Sequence, residues 1–240
     1  MHIVRVVASL MLSAAALPSA AFSSPLTIVN PDFSVPAIAC SSGFAYQGPG
    51  NCSSTTVGGT PLPQQDFNGT AGFGWTLGTN GDGLTRGGGA FNGLSFSGLP
   101  FTQAAFLQGP NSSVSQIIPG FSAGGHYVLS FYLGSRFATG TFDGNQTVAA
   151  LLNGSVVGTF ALTSFTPFTF ESVALTGSTT GSETLQFKGL ATGDHTAFLS
   201  HVSISSPSVP EPSSLELLIP GGALLAFFLR RSRRVARRSE

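Results

Sequence analysis

The stretch His126–Leu133, "HYVLSFYL", alternates with a period of two. Tyr127, Leu129, Phe131 and Leu133 share one phase, and His126, Val128, Ser130 and Tyr132 the other. That period is the mark of a β-strand with one face in a core; a 3.6-residue helical period scatters the same four residues around the helix. Turn residues precede it, at Pro119-Gly120 and Gly124-Gly125. Reading outward, "TVAALL" (147–152) and "SVVGTFAL" (155–162) are joined by Asn153-Gly154, a strong two-residue hairpin signal. "FTFESVAL" (168–175) follows. "TLQFKG" (184–189) sets Leu185 and Phe187 against Thr184, Gln186 and Lys188. In "TAFLSHVSI" (196–204), Phe198, Val202 and Ile204 read as one phase, with Ser200 breaking the apolar row.

The segment 40–100 is rich in Gly, Thr, Asn and Pro and has weak periodicity. It predicts long loops with a strand around "GFGWTL" (72–77) and further strands near Leu94–Phe96 and Ala104–Leu107. About eight or more short strands and almost no helix give an all-β fold, a two-sheet β-sandwich. The composition agrees: 31 glycines, 21 phenylalanines and only 8% charged residues in 240. Most of the phenylalanines are expected to be core filling.

The ends have a different character. Residues 1–21 have Arg5, a short apolar run from Val6 to Leu17, and small residues before a cleavage point after Ala21, the layout of a secretory signal peptide. Such a chain meets the Sec translocon and signal peptidase and matures in an oxidising compartment. Cys40 and Cys52 flank a Gly-rich loop, and a disulfide fits that compartment better than a metal pair, which lacks further ligands. At the other end, 206–214 is a linker holding Val209-Pro210-Glu211-Pro212. Residues 215–229 are hydrophobic, and 230–240 form an Arg-rich tail with Arg230, Arg231, Arg233, Arg234, Arg237 and Arg238. The uninterrupted apolar run Leu217–Leu229 has 13 residues, about 20 Å as a helix, against about 30 Å of hydrocarbon. Pro220-Gly221-Gly222 weakens it further. A short transmembrane helix of this kind pauses a chain in a membrane, with the arginines holding its end in the cytoplasm, but is a poor permanent anchor. Pro210 and Pro212 keep the preceding residues extended, as a protease requires.

Between these ends, residues 26–205 form the sandwich. From Pro25 to Val209, three cations (Arg86, Arg136, Lys188) stand against seven carboxylates, a net charge of −4. Nothing there is a nucleic-acid footprint.

Three parts in order make the tail resemble the PEP-CTERM sorting signal of Gram-negative bacteria: Val209–Pro212, the apolar segment and the arginine cluster. The resemblance implies recognition by exosortase, a membrane-embedded cysteine transpeptidase, and an association with exopolysaccharide production. It further implies a passage through the inner membrane to the cell surface or extracellular matrix. The body resembles the galactose-binding-like jelly-roll domains often placed ahead of this tail. The matching pieces are "NPDF" (30–33), Gly74-Trp75, "AAFLQG" (104–109), "VSQIIPGFSAGGHYVLSFY" (114–132) and "DHTAFLSHVSI" (194–204). Ser200 departs from the Asp such domains often carry there, which bears on any calcium site in that strand.

Candidate chemistry in the body is sparse. Gly120-Phe121-Ser122-Ala123-Gly124 is formally G-x-S-x-G, but a nucleophile elbow needs a helix after the serine and a strand follows; a turn between strands is the simpler reading. Asp194, His195 and His201 match no standard metal spacing, so no metal and no other cofactor is expected. In "TNGDGLTRGGG" (79–89), Asn80 and Asp82 are candidates for calcium, with a flexible loop the default. Trp75, Tyr46 and Tyr132 are candidates for stacking on sugar rings beside Asn80 and Asp82, although Trp75 sits in a strand-like run where core packing is the better reading. A glycan-active hydrolase needs two carboxylates about one sugar, and no such pair is visible in sequence. The expected protein is a non-catalytic exported one that binds glycan or exopolysaccharide, or a purely structural matrix component.

Overall fold

The computed structural model describes residues 26–38, 42–48, 56–57, 60–61, 67–79, 81–89, 91, 93–138 and 142–206. The signal peptide, Cys40, Cys52, Asn80, the sorting motif, the apolar segment and the arginines lie outside the described residues. Among those described, all regular structure is strand: β1 (Phe44–Tyr46), β2 (Thr56–Val57), β3 (Thr60–Pro61), β4 (Thr76–Leu77), β5 (Asp82–Thr85), β6 (Ala104–Gln108), β7 (Ser113–Phe121), β8 (His126–Ser135), β9 (Thr147–Leu152), β10 (Ser155–Ala161), β11 (Thr169–Thr176), β12 (Gly181–Gly189) and β13 (Thr196–Ser205). No helix among them is long and apolar enough to cross a membrane.

Two antiparallel sheets face each other. One has six strands in the order β1-β5-β6-β13-β8-β11, the other five in the order β10-β9-β12-β7-β4; β2 and β3 pair apart from both. From β6 onward the chain passes repeatedly from one sheet to the other, the jelly-roll habit. The phase read from "HYVLSFYL" holds: Tyr127, Leu129, Phe131 and Leu133 are all buried. Across the gap Phe131 meets Phe187 of β12 edge-to-face at 4.9 Å. Asn153 and Gly154 take φ of 48° and 80°, as the two-residue hairpin between β9 and β10 requires. The formal G-x-S-x-G is a turn, with the Gly125 N–H donating to Ser122 O at 2.9 Å.

Three local expectations are corrected. Leu94–Phe96 forms no strand; Leu94 and Phe96 instead pack from a loop onto a second apolar cluster, built on Phe44, Phe91, Ala104, Phe106 and Phe198 on the outer side of the six-stranded sheet. The run 79–89 is not a loop throughout: Asp82–Thr85 is a buried strand between β1 and β6. It fits there because Gly83 carries no side chain; a Cβ would lie 2.1 Å from Ala45 O. In β13 the apolar row is not continuous. Pairing runs Leu199↔Leu133 and Ser200↔Tyr132, then resumes at Ser203↔Ser130, so β13 holds one extra residue. This bulge reverses the phase. Phe198 and Ser200 lie on the outer face, while Val202 and Ile204 enter the main core.

Candidate functional site

The bulge sets the site. His201 sits in it at a φ of 54°, a left-handed conformation uncommon for a side chain of this size. The turn that opens the domain, Asn30–Phe33, docks against it. The Val202 N–H donates to Pro31 O at 3.1 Å, and His201 Nδ1 meets Asp32 Oδ1 at 2.7 Å. The turn carries two more residues at positive φ, Asn30 (51°) and Phe33 (53°). Asn30 closes it, donating from Nδ2 to Val35 O and accepting from the Val35 N–H. Behind it Gln103 accepts from the Ile38 N–H and donates to Phe33 O and Pro36 O. Positive φ at bulky residues costs energy and collects where the surrounding structure has a use for it.

Beside His201 the outer face of the six-stranded sheet carries rings. Tyr132 of β8 lies opposite Phe170 of β11 in the ladder, with ring centroids 5.5 Å apart. Tyr132 also lies 5.9 Å from His201 and 5.4 Å from Phe101, and Phe101 stacks on His201 at 6.2 Å. Phe101 is buried beneath, whereas Phe170 is 58% exposed and His201 partly so. Ser130 and Ser172 are the next opposed pair on the same face. The result is an open aromatic surface on paired strands, edged by a His–Asp pair and serines. With Nδ1 turned to Asp32, the imidazole keeps Nε2 for a further hydrogen bond. Apolar ring faces beside hydroxyl, imidazole and carboxylate groups are what a sugar, with its C–H and O–H faces, can use.

The residues expected to touch sugar divide differently. Trp75 is 2% exposed and packs on Phe33 at 4.9 Å, with Nε1 donating to Asn30 O at 3.0 Å. It supports the Asn30–Phe33 turn from within and has no face open to a ligand. Asp82 is also buried, within β5, and is no surface ligand for calcium or sugar. Tyr46 is half-buried at the opposite end of β13 from Ile204, donating to Gln108 Oε1, while Gln108 Nε2 donates to Asp194. Burial first, then the Asp194 charge, pushes its phenol above its ordinary pKa, against the pull of Arg136 and the Gln108 bond. Of the stacking candidates only Tyr132 belongs to the open face. Asp32 and Phe170 were missed. Phe170 had a signal: Val173 and Leu175 fix the inward phase of β11, which leaves an aromatic on the outward one.

Asp194, His195 and His201 do not gather. His195 pairs with Asp143, His201 with Asp32, and Asp194 with Arg136 at 3.5 Å. No group of three His, Cys, Asp or Glu side chains among the described residues can hold a metal ion. Asp143 and Asp194 do come close at one end of the sandwich, through Asp143 N–H to Asp194 O. Partial burial pushes the Asp143 pKa up, but is outweighed by the Asn145 N–H and then by His195, which together hold it below the usual carboxylate range. That suits an ion-pair partner and not the general acid of a glycosidase, which needs a raised pKa. The stabilisation Asp143 provides is complete above about pH 4, the unfolded value, and is lost as pH falls through the lower folded value. Asp143→Asn is therefore expected to flatten the fall of the denaturant midpoint below about pH 4. Parallel profiles for variant and parent between pH 2 and 7, of the kind urea titrations give, would remove Asp143 from the acid response.

Residues 208–234 match the PEP-CTERM protein-sorting motif. The chain carries the signal of an exported protein, held transiently in a membrane and handed to exosortase before surface display. No protein of curated function matches the sequence. Among solved structures it is similar to the CBM36-1 domain of a multidomain xylanase from the hindgut metagenome of Trinervitermes trinervoides, at 21% identity over 47% of this chain and 84% of that one, with a TM-score of 0.34. It is similar to a carbohydrate-binding module CBM36 in complex with calcium and xylotriose, at 19% identity over 54% and 92%, TM-score 0.36. It is also similar to a cyclase from Fischerella sp. TAU, at 12% identity over 75% and 95%, TM-score 0.49. Likenesses this distant say nothing of what the chain binds.

Proposed function

We propose that this chain is an exported, non-catalytic surface protein that exosortase cleaves near Val209–Pro212, and that its sandwich binds a neutral glycan or exopolysaccharide on the outer face of the six-stranded sheet. The single observation behind the binding reading is the open Tyr132–Phe170 pair beside His201 and Asp32. Phe170 is exposed and Tyr132 half-buried; such rings cost solvation and add nothing to the main core, and they lie on strands, which hold them rigidly. Asp32, the carboxylate beside His201, is engaged with that imidazole, which favours binding over hydrolysis. The processing reading rests on the sorting motif and on an apolar run too short for comfortable anchoring.

Purified protein spanning residues 26–206 is tested for retention on cellulose, xylan, β-1,3-glucan, mannan, galactan and dextran, with alginate and polygalacturonate as acidic controls. Retention on at least one neutral polymer, released by its own oligomers, is the expected result. Passage through all of them unretained would leave a structural matrix component as the better description.

A further inference from the structure

We propose that the free edge of β11 docks a second copy of this chain: two β11 strands pair antiparallel about a two-fold axis at Val173 and join the two six-stranded sheets edge to edge. β11 ends its sheet, and no strand among the described residues pairs with its outer side. The direction of its backbone groups follows from the ladder. Pairing with β8 runs one residue to one from Thr169↔Leu133 to Thr176↔His126 without a bulge. The Gly177 N–H extends it, donating to Gly125 O at 2.9 Å. Hydrogen-bonded residues alternate in an antiparallel ladder. Counting back from Gly177, Thr169, Glu171, Val173 and Leu175 bond β8. Phe170, Ser172, Ala174 and Thr176 turn N–H and C=O to the open side, and all four are exposed.

Unpaired edges invite other strands, and folded proteins blunt them with short length, bulges, proline or charge. Of the four edges of the two large sheets, three are blunted. β1 has three residues and β4 two. β10 has seven, but its pairing with β9 slips between Val156 and Gly158, which bends the strand. β11 differs: its eight residues, "TFESVALT", keep unbroken register and include no proline or lysine. Its one charge, Glu171, lies on the inward phase, opposite Phe131. An inward charge guards an edge against some pairings, and here it leaves one open.

Two identical edges meet in few registers, because only residues with outward backbone groups can bond each other. With Phe170 against Ser172 of the second copy, the two Glu171 carboxylates stand directly opposite, a destabilising pair. With Phe170 against Thr176 and Ser172 against Ala174 of the second copy, all four outward residues of each strand are used. Glu171 then faces Leu175 of the second copy, four residues from the other carboxylate, and Val173 meets its own mate on the axis. The aromatic Phe170 beside a β-branched threonine is a favourable cross-strand pair. Seven residues a side is well short of the roughly 20–30 of a standard interface, so the dimer is weak and forms where copies are crowded, as on a surface. With the other edges blunted, association closes at two. Edge-to-edge pairing leaves the outer faces of both sheets uncovered, Tyr132 included.

Sedimentation of protein spanning residues 26–206 is expected to show monomer and dimer in exchange, with a dissociation constant of about 100 μM or tighter, and no larger species. Ala174→Pro removes an outward N–H that β8 does not use, a place where an edge strand accepts proline. It is expected to melt like the parent and to dimerise at least about tenfold more weakly. A cross-linking measurement reads the register without that variant. Ser172→Cys mixed with Ala174→Cys is expected to give a disulfide-linked mixed dimer, located by peptide mass, because hydrogen-bonded partners have Cα atoms about 5.5 Å apart, within disulfide reach. In either variant alone the two cysteines lie on a diagonal of about 7–8 Å, so cross-linking should be at least about tenfold slower. A parent that is monomeric up to about 1 mM leaves the edge to a strand of another chain or to none, and the proposal falls. It falls too if folded Ala174→Pro dimerises like the parent, if the mixed pair bridges no faster than either variant alone, or if species beyond the dimer grow with concentration.

Discussion

Trp75→Ala is expected to unfold much of this domain and not merely to weaken a binding site. Trp75 is fully enclosed, rests on Phe33, and satisfies Asn30 O through its indole N–H. Removing a buried tryptophan costs about 3–5 kcal/mol through lost transfer energy and the cavity left behind. The Asn30 carbonyl loses one of its two donors as well, keeping the Phe33 N–H at 3.1 Å. Against a total stability of about 5–15 kcal/mol, that is a large fraction. For a domain of this size each kcal/mol moves the melting temperature by roughly 2–4 °C, so thermal circular dichroism reads the effect directly. The Asn30–Phe33 turn depends on Trp75, and the His201–Asp32 contact depends on the turn. Binding should therefore fail together with folding. A variant that melts like the parent but no longer binds glycan would show Trp75 in the ligand site and contradict its placement in the core.

The second large effect concerns fate. Replacing Pro210-Glu211-Pro212 by alanines is expected to abolish processing altogether. The prolines restrict the residues before them to extended conformations, and Glu211 places one charge between two rigid positions. Alanines lift that restriction and remove the charge. With an affinity tag ahead of Ser206, intact-mass measurement in cells containing exosortase should give a truncated product for the parent and full-length chain, arginines included, for the variant. Full-length parent in cells both with and without exosortase would make the tail an anchor and nothing more.

Much of the architecture was legible because alternation is local. His126–Leu133 needed no partner to be read as a strand, nor did Asn153-Gly154 as a hairpin. The strands that escaped notice are those whose stability comes from neighbours. Asp82–Thr85 has a glycine at its centre and no alternating apolar side chains; it is a strand because β1 and β6 lie on either side and Gly83 lets Ala45 O approach. The bulge at His201 was invisible for a related reason: an extra residue leaves no trace in composition, only in pairing with β8. Its consequence was a misread row, in which Ser200 was taken for a break when it lies on the other face, donating to Gln103 O.

The candidate site was less legible still. Asp32 and His201 are 169 positions apart, and nothing in either neighbourhood announces the other. Tyr132 was noticed as an aromatic but not as the centre of a surface, since Phe170 becomes its neighbour only through the β8–β11 ladder. Trp75 drew attention because it is the one tryptophan in the chain. Its role proved to be supporting the turn beneath the site.

The dissociation constant of the double variant Tyr132→Ala/Phe170→Ala for the neutral polymer that retains the parent tests the binding surface most directly. Both rings lie on the outer face, so the variant should remain folded, with a melting temperature near that of the parent. Its affinity should fall at least about tenfold, the loss of roughly 1.4 kcal/mol that removal of two stacking rings implies. A folded double variant that binds as tightly as the parent would contradict the assignment of this face as the glycan site.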